Sequence, residues 1–299
     1  MIHQPVLLKE ILKIFDPKPN QNFIDATLGE GSHSIEILKK TAPKGKILGI
    51  EFDPVLIGEA KKNFKKFNLE KRVIFVNDNF SNLEKIIKEN KFFDFEGTLF
   101  DLGISRWHFK KSKRGFSFQK NEILDLRINP KKQKLKAIEI LNLWSKSEIE
   151  KILKEFGEIK KAREIAEEIV LQRKIKPIIT TFDLIKVLEK FSKFLRRKNQ
   201  KIHFATKVFM ALRIATNQEI ENLEKGLTEA FKVLKPSKKL IVISFHSLED
   251  RVVKNFFKKL KQKKLAKILT KKPIVPDLKE IQKNPSARSA KLRAIEKLN

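Results

Sequence analysis

The sequence contains no cysteine and no tyrosine among its 299 residues. Without cysteine, the chain cannot form disulfides, thiolate zinc sites or cysteine-ligated iron–sulfur clusters, and no thiolate can act as a nucleophile. Without tyrosine, no phenol can serve as a general acid or base. Any catalysis by this chain therefore has to use other side chains.

Long apolar runs are also missing from the sequence. No run approaches the ~18 apolar residues that a membrane span requires. The first residues include Lys9, Glu10 and Lys13, so they lack the apolar region of a secretory signal peptide. We therefore expect a soluble, cytoplasmic protein without a membrane partner.

Acidic residues are scarce relative to basic ones. The 36 Asp and Glu against 66 Lys and Arg give a formal net charge of +30. Charge of this sign and size favours a polyanionic partner such as a nucleic acid, although a compositional bias toward lysine is the alternative. Hydrophobic residues make up 41 % of the chain, which suffices for a folded core.

Short apolar segments alternate with helical patterns in the first hundred residues. Strands are predicted at residues 23–29, 46–53, 72–78 and 97–103. Helical patterns separate them at residues 34–40, 54–67 and 81–90. Strands that alternate with helices predict an α/β fold with a parallel, doubly wound sheet.

The fifth predicted strand, residues 239–245, is separated from the fourth by many more residues than a single crossover helix needs. Between residues 131 and 195 apolar residues recur at three- and four-residue spacing, which predicts helices. We therefore expect a helical insert over residues 108–202 that divides the main domain into residues 1–107 and 203–299.

Smaller signals refine this organisation. Ser147 is predicted to cap a helix of the insert, and Gly157 to end it. Residues 196–201 are predicted to be an exposed basic connector. Residues 266–270 and 292–298 are predicted to form the last strands.

A glycine-containing turn follows the first predicted strand. Gly29 and Gly31 allow the backbone to approach a ligand closely, but Ser34 stands where the dinucleotide fingerprint has a third glycine. A tight turn before a helix is the alternative interpretation. Glu51 lies 22 positions after Gly29, a spacing at which a carboxylate binds the ribose hydroxyls of a nucleotide.

Acidic residues cluster at the predicted carboxyl ends of the strands, although the chain as a whole is cationic. These residues are Asp25, Glu30, Glu51, Asp53, Asp78 and Asp101. An anionic patch disfavours a pyrophosphate and favours a cofactor with a sulfonium and an ammonium group. The pattern thus favours S-adenosylmethionine over NAD, unless these acids are helix caps and turn residues.

Other side chains near the strand ends are candidates for binding. Phe80 is placed to wall an adenine pocket or to pack in the core. Asp101 ends the fourth strand, in the crevice where ligands of open α/β sheets bind, so we expect it to face cofactor or acceptor. His246 and Ser247 follow the fifth strand, but the chain lacks a nucleophile elbow, and its histidines lack metal-ligand spacing.

A basic segment interleaved with aromatic residues follows the fourth strand. Its members are Arg106, Lys110, Lys111, Lys113, Arg114, Phe116 and Phe118. This mixture suits phosphate contacts and base stacking, with a solvated basic loop as the alternative. If the RNA footprint lies elsewhere, Arg288 and Arg293 are the next candidates.

Several longer motifs occur together from His3 to nearly the end of the chain. They are HQPVLLKE, DATLGEGSHS, LFDLGIS, RGFSF, LDLR, ALRIATNQEIENLE, VISFHSLEDRVVK and NPSARSAKLR. In this combination the chain resembles the family of bacterial 16S rRNA cytosine-N4 methyltransferases.

The resemblance implies a class I S-adenosylmethionine-dependent fold with an inserted all-helical domain for RNA recognition. It implies methyl transfer to a decoding-centre cytidine of 16S rRNA in the small ribosomal subunit, without a metal. The cofactor contacts that it implies are Gly31, Ser32, His33, Glu51, Phe80, Asp101 and His108. Three of them depart from the family pattern, because Ser32, Glu51 and His108 stand where Gly, Asp and Gln are usual.

The acceptor amine sets the expected chemistry. Its lone pair is delocalised into the cytosine ring, so a nearby hydrogen-bond acceptor has to orient it, and Asp101 is the candidate. Alignment of methyl and amine is expected to contribute more than a strong base. An N-methyltransferase for DNA or protein, and an RNA-binding assembly factor without turnover, are the competing hypotheses.

Overall fold

In a computed structural model of the chain, residues 5–192 and 205–299 are described. The chain divides into two compact units, one formed by Met1–Gly103 with Ile220–Asn299 and the other by Ile104–Glu219. The main unit is therefore assembled from the two ends of the sequence, and the second unit is the segment between them.

The strands within the described residues all belong to the first unit. They are β1 Phe23–Asp25, β2 Ile47–Ile50, β3 Val73–Val76, β4 Gly97–Asp101, β5 Lys239–Ser244, β6 Ala266–Ile268 and β7 Lys291–Lys297. They form one sheet in the order β3-β2-β1-β4-β5-β7-β6. Strands β1 to β5 run parallel, whereas β7 is antiparallel to both β5 and β6.

The helices before residue 193 are α1 Leu8–Phe15, α2 Ser32–Lys40, α3 Pro54–Lys66, α4 Leu83–Glu89, α5 Arg106–Lys111, α6 Ala137–Leu143, α7 Lys146–Glu155, α8 Ala162–Ile175 and α9 Thr181–Leu188. Those after residue 204 are α10 Thr206–Asn217, α11 Glu219–Val233, α12 Ser247–Gln262 and α13 Leu278–Lys283. The alternation of strands and helices in the first unit confirms the predicted parallel α/β sheet.

The sheet is buried on both faces. Successive side chains of a strand point to opposite faces, so Leu99 packs in one apolar cluster and Phe100 in the other. Both are fully buried, and each such side chain stabilises the fold by roughly 1.5–3 kcal/mol. Burial on both faces explains why these strands are continuous apolar runs rather than alternating ones.

The second unit is helical and has its own core. Helix α10 contacts α6 and α7, and Val208, Ala211 and Leu212 are buried in this core. The apolar stripe of α10 therefore packs in the second unit, whereas the sequence pattern assigned residues 203–219 to the main domain. Phe204, which shares the face of Val208 and Ala211 at helical spacing, and the predicted connector 196–201 lie outside the described residues.

The predicted start of α7 is wrong by two residues. Ser145, not Ser147, caps this helix, and its Oγ accepts a hydrogen bond from the Glu148 N–H at 3.3 Å. Glu148 in turn accepts from the Ser145 N–H at 2.7 Å, which completes a capping box. This register places Trp144 before the cap and Ile149 in the helix, at the two positions of a hydrophobic staple, and both belong to the apolar core of the second unit.

Candidate functional site

The glycine turn after β1 leads directly into α2. Gly29 and Gly31 have φ values of +52° and +85°, in the region that side chains disfavour. A Cβ on Gly31 would lie 2.3 Å from the ring of Phe64. Gly31 caps α2 without a side-chain hydrogen bond, so the first N–H groups of the helix, beginning at Ser32 and His33, are donors for a ligand.

Glu51 braces this turn from the end of β2. Its carboxylate accepts hydrogen bonds from the Gly29 N–H at 2.9 Å and the Asp53 N–H at 2.7 Å. Desolvation by burial raises its pKa to about 7 in spite of these bonds. Each carboxylate oxygen has a second lone pair, so Glu51 also has capacity for donors on a ligand.

Two of the six acids have local structural roles. Asp53 is fully buried and caps α3 by accepting from the Val55 N–H at 2.8 Å. Asp78 accepts from the Asn79 N–H at 2.8 Å in the turn after β3. For Asp53 and Asp78, the alternative interpretation as a helix cap and a turn residue is therefore confirmed.

Asp25 and Asp101 are linked through Thr27. Asp25 is buried, accepts from the Ser34 hydroxyl at 2.6 Å and from the Thr27 N–H at 3.2 Å, and has a pKa raised by burial. The Thr27 hydroxyl accepts from the Asp101 N–H at 2.6 Å. The glycine turn and the end of β4 are thus held together by hydrogen bonds.

The carboxyl group of Asp101 has little stabilisation of its charge. Its Oδ1 is buried and has no hydrogen-bond partner among the described residues, although 27 % of the side chain is exposed. Burial, and then the charge of Glu249, raise its pKa to about 7. Such a group is a ready acceptor for a ligand N–H or cation.

His33 lies between the N-terminal segment and Asp101. Its Nε2 is 2.8 Å from the Val6 carbonyl oxygen, and its Nδ1 is 3.5 Å from Oδ2 of Asp101. Burial lowers the pKa of the ring, so the neutral form donates from Nε2 to Val6. Nδ1 then faces Asp101 without a proton, which favours the protonated carboxyl.

Phe80 packs against the sheet while remaining partly exposed. Its ring meets Phe100 edge to face at a centroid distance of 5.3 Å. A Cβ on Gly226 would lie 2.5 Å from the Phe80 ring, so a side chain at this position would displace the ring. Core packing accounts for these contacts, and the exposed part of the ring is available to a ligand.

The segment after β5 caps a helix. His246 precedes α12, and Glu249 accepts from the Phe245 N–H at 2.8 Å. The sequence did not predict that Glu249 lies near Asp101. A glutamate three positions after a helix cap indicates a capping box and gives no information about its neighbours on other strands. The pairing of β4 with β5 brings the two acids together.

Arg293 pairs with an acidic residue of the first unit. Its guanidinium forms a buried ion pair with Asp250, with Nε 2.6 Å from Oδ1, and 12 % of either side chain is exposed. This ion pair does not favour Arg293 as an alternative RNA contact. Arg288 is exposed.

Phe116 is buried in the second unit, and Phe118 is partly buried there. Phe116 is 5 % exposed, and Phe118 packs edge to face on Phe209 at 5.4 Å. Burial of Phe116 leaves it no face for a base, whereas base stacking on the partly exposed Phe118 stays a prediction. His108 is also buried, with its ring 5.1 Å from that of Phe116.

The basic residues of this segment differ in their surroundings. Arg114 donates to the carbonyl of Ile128 at 2.7 Å and lies 5.4 Å from the Trp107 ring, so it supports the local fold. The exposed lysines are Lys110, Lys111 and Lys113. They retain the predicted basic surface.

Comparison with known proteins identifies the family. Residues 1–298 match the MraW methylase family. The chain belongs to this family. It is 42 % identical over 292 residues to the ribosomal RNA small subunit methyltransferase H of Sulfurihydrogenibium sp. strain YO3AOP1, covering 97 % of each chain. It is 41 % identical to the protein of the same name from Halothermothrix orenii, covering 99 % of this chain and 98 % of that one.

A solved rRNA methylase from Streptococcus thermophilus overlays with a TM-score of 0.45 at 10 % identity, covering 100 % of this chain and 99 % of that one. None of the described helices is long and apolar enough to cross a membrane. Membership of the MraW methylase family makes this protein a methyltransferase that uses S-adenosylmethionine. The strand order with antiparallel β7 confirms the expected class I, Rossmann-like fold.

The side chains of this MraW methylase site suit that cofactor. Asp101 and Glu51 offer carboxylate oxygens to a cofactor that carries sulfonium, ammonium and ribose hydroxyl groups. The start of α2, where no side chain caps the helix, offers N–H donors to the cofactor carboxylate. A pyrophosphate would meet the same acidic oxygens with like charge, so the donor set fits S-adenosylmethionine better than NAD.

Proposed function

We propose that this protein transfers a methyl group from S-adenosylmethionine to the exocyclic N4 amine of a cytidine in 16S rRNA, at the decoding centre of the small ribosomal subunit. The names of the two relatives support small-subunit rRNA as the substrate class. The observation that carries the proposed chemistry is the buried, unpartnered Oδ1 of Asp101 among the described residues.

The proposed cofactor contacts in the first unit have separable roles. Ser32 and His33 offer the N–H groups at the start of α2, and Gly31, whose own N–H is bonded to the Leu28 carbonyl at 2.8 Å, lets the cofactor approach the backbone. Glu51 accepts from ribose hydroxyls while it also fixes the glycine turn. Phe80 offers the exposed part of its ring to the adenine.

The remaining contacts are the departures from the family pattern and Asp101. We include His108, which lies in the second unit, because of its motif position. Ser32 keeps its backbone donor whatever its side chain, and Glu51 keeps the carboxylate of the usual Asp. When bound, S-adenosylmethionine supplies an electrophilic methyl group on a sulfonium.

Asp101 is the proposed catalytic residue. Its Oδ1 accepts an N–H of the cytosine amine, which turns the nitrogen lone pair toward the methyl group. A pKa of about 7 suits a group that accepts this hydrogen bond and then holds the released proton. Alignment supplies most of the acceleration, and the target base has to leave its stack to reach the site.

The second unit is the proposed RNA-recognition domain. Its exposed residues Lys110, Lys111 and Lys113 follow the segment that links it to β4. Lysines at such a position suit contacts with phosphates, which position an RNA without reading its sequence. Arg114 is left out of this proposal because it supports the local fold.

Methyl transfer to small ribosomal subunits that lack this methylation tests the proposal. Digestion to nucleosides should reveal N4-methylcytidine, and Asp101→Asn should abolish it while retaining cofactor binding. Transfer to DNA or protein in place of rRNA would establish the competing N-methyltransferase. RNA binding without transfer to any acceptor would establish an assembly factor instead.

A further inference from the structure

Within the described part of the first unit, the longest segment without an acidic residue runs from Arg251 to Pro276. These 26 residues contain ten basic residues and no Asp or Glu. Since 36 of the 299 residues are acidic, a segment of 26 would carry about three at the average density. We name its lysines the basic edge: Lys254, Lys258, Lys259, Lys261, Lys263, Lys264, Lys267, Lys271 and Lys272.

Every lysine of the basic edge is exposed, and none forms an ion pair within the described part of the chain. Lysines elsewhere in the first unit commonly do. Examples are Lys39 with Glu36, Lys62 with Glu59, Lys88 with Glu84 and Lys238 with Glu96. A general bias toward lysine raises the number of lysines everywhere, but it does not remove their partners from one surface.

The fold brings the basic edge together at one side of the sheet. Val253, Phe257 and Leu260 of α12 are buried. Lys254, Lys258 and Lys261 each follow one of these residues, so they form an exposed stripe that spans about 10 Å along the helix. The chain continues into β6, which is the edge strand because it pairs only with β7 among the described strands.

One end of the basic edge is close to the candidate site. Strands β7 and β5 separate β6 from β4, and the register sets Lys267 level with Gly97, at the far end of β4 from Asp101. After β6 the chain returns toward the site, because Ile274, two residues after Lys272, pairs with β7 at the level of Asp101. At a strand spacing of about 4.8 Å, this end of the basic edge lies about 14 Å from Asp101, whereas Lys267 lies roughly 20 Å from it. An RNA strand that entered the site over this side of the sheet would bring several phosphates within reach of these lysines.

Helix termini explain only a small part of this charge. Lysines in the last turn of α12 interact favourably with the helix dipole, but that effect is confined to one turn. Lys263 to Lys272 lie beyond the helix. Packing many like charges together destabilises a free protein, and a polyanion that releases its counterions on binding relieves this repulsion.

We infer that the basic edge docks the phosphate backbone of the rRNA substrate, outside the pocket that receives the base. The inference rests on the proposed function, since it assumes that the substrate is RNA. Its contribution is independent of sequence, because lysine contacts to phosphates position the strand without reading bases.

The test is the triple variant Lys254→Gln, Lys258→Gln and Lys261→Gln. A matched control, Lys65→Gln, Lys66→Gln and Lys71→Gln, removes three exposed charges beside β3 at the opposite edge of the sheet. Binding to protein-free 16S rRNA is measured against salt concentration. Removing three phosphate contacts should reduce the slope of log affinity against log salt by about 2 to 3.

The edge variant should bind rRNA at least tenfold more weakly at low salt, with a raised KM and an unchanged kcat. Its affinity for S-adenosylmethionine should equal that of the wild type, and the control variant should keep the wild-type salt slope. A slope that stays unchanged in the edge variant, or that falls equally in the control, overturns the inference.

Two further outcomes distinguish an error in the inferred docking partner from an error in the proposed function. If the edge variant loses affinity for assembled small subunits but not for protein-free rRNA, the basic edge binds an acidic protein surface and the RNA inference is wrong. If the wild-type protein neither binds nor methylates rRNA, the proposed function fails instead.

Discussion

The carboxyl group of Asp101 makes the stability of the fold depend on pH. Its pKa in the folded protein is raised from the ordinary 3.8 to about 7, by burial first and the charge of Glu249 second. The protonated form therefore stabilises the fold. This stabilisation is fully present below about pH 4 and is lost as the pH rises through about 7. Asp101→Asn keeps the shape of the side chain but stays neutral throughout.

The size of the effect follows from the pKa. One pKa unit is worth about 1.4 kcal/mol, so a rise from 3.8 to about 7 corresponds to at most about 4 kcal/mol. Water screens part of this cost, because 27 % of the side chain is exposed. After allowing for that screening, we expect the free energy of unfolding of Asp101→Asn to rise by about 2 kcal/mol relative to that of the wild type between pH 4 and pH 8.

The assay has to follow the first unit alone. Both tryptophans, Trp107 and Trp144, lie in the second unit, so their fluorescence does not report on the sheet. Amide hydrogen exchange of β4 and β5, corrected for its intrinsic pH dependence, measures the opening free energy directly. Asp94→Asn is the control, because that side chain is 83 % exposed and, among the described residues, pairs only with Lys235 at 3.4 Å.

A difference between Asp101→Asn and wild type that is constant from pH 4 to pH 8 would refute the raised pKa. The same variant addresses catalysis in a single turnover. Methyl transfer should fall by orders of magnitude while S-adenosylmethionine binds only modestly more weakly. Parallel losses of both would show that Asp101 only holds the cofactor, and no loss of either would show that it only supports its turn.

The remaining predictions concern the turn and the basic segment. Glu51→Ala should lower S-adenosylmethionine affinity at least tenfold by calorimetry and destabilise the fold by about 1–3 kcal/mol, because two backbone N–H groups lose their acceptor. Gly31→Ala should lower the thermal midpoint, at a cost of about 2–4 kcal/mol from the positive φ and the contact with Phe64, and Phe64→Leu should restore part of it. A salt titration of rRNA binding should give a flatter slope when glutamine replaces Lys110, Lys111 and Lys113.

The strands could be predicted from sequence because the sheet is buried on both faces. A segment such as residues 46–53 has to be continuously apolar, and β2 lies within it. The end of the second unit could not be predicted in the same way. The stripe of Val208, Ala211 and Leu212 shows that α10 is buried, but periodicity does not show which core buries it.

The candidate site was predictable in part for the same physical reason. Acidic residues after parallel strands meet at one edge, so the neighbourhood of Glu51 and Asp101 follows from topology. The approach of His33 to Asp101 depends on the Val6 carbonyl, a backbone contact that no residue pattern encodes. Burial of Phe116 likewise depends on packing, because an aromatic residue in a basic segment suits either a core or a base.

The charge of +30 and the acidic site serve different ligands without conflict. Exposed charges are screened over about 8 Å at physiological salt, whereas β4 and β6 are about 14 Å apart at ordinary strand spacing. The lysines of the basic edge therefore contribute little to the potential at Asp101, whose raised pKa comes from burial and Glu249. A cationic exterior can gather a polyanion while the strand ends select a cationic cofactor. Uniform charge across the molecule would favour one of these ligands at the expense of the other.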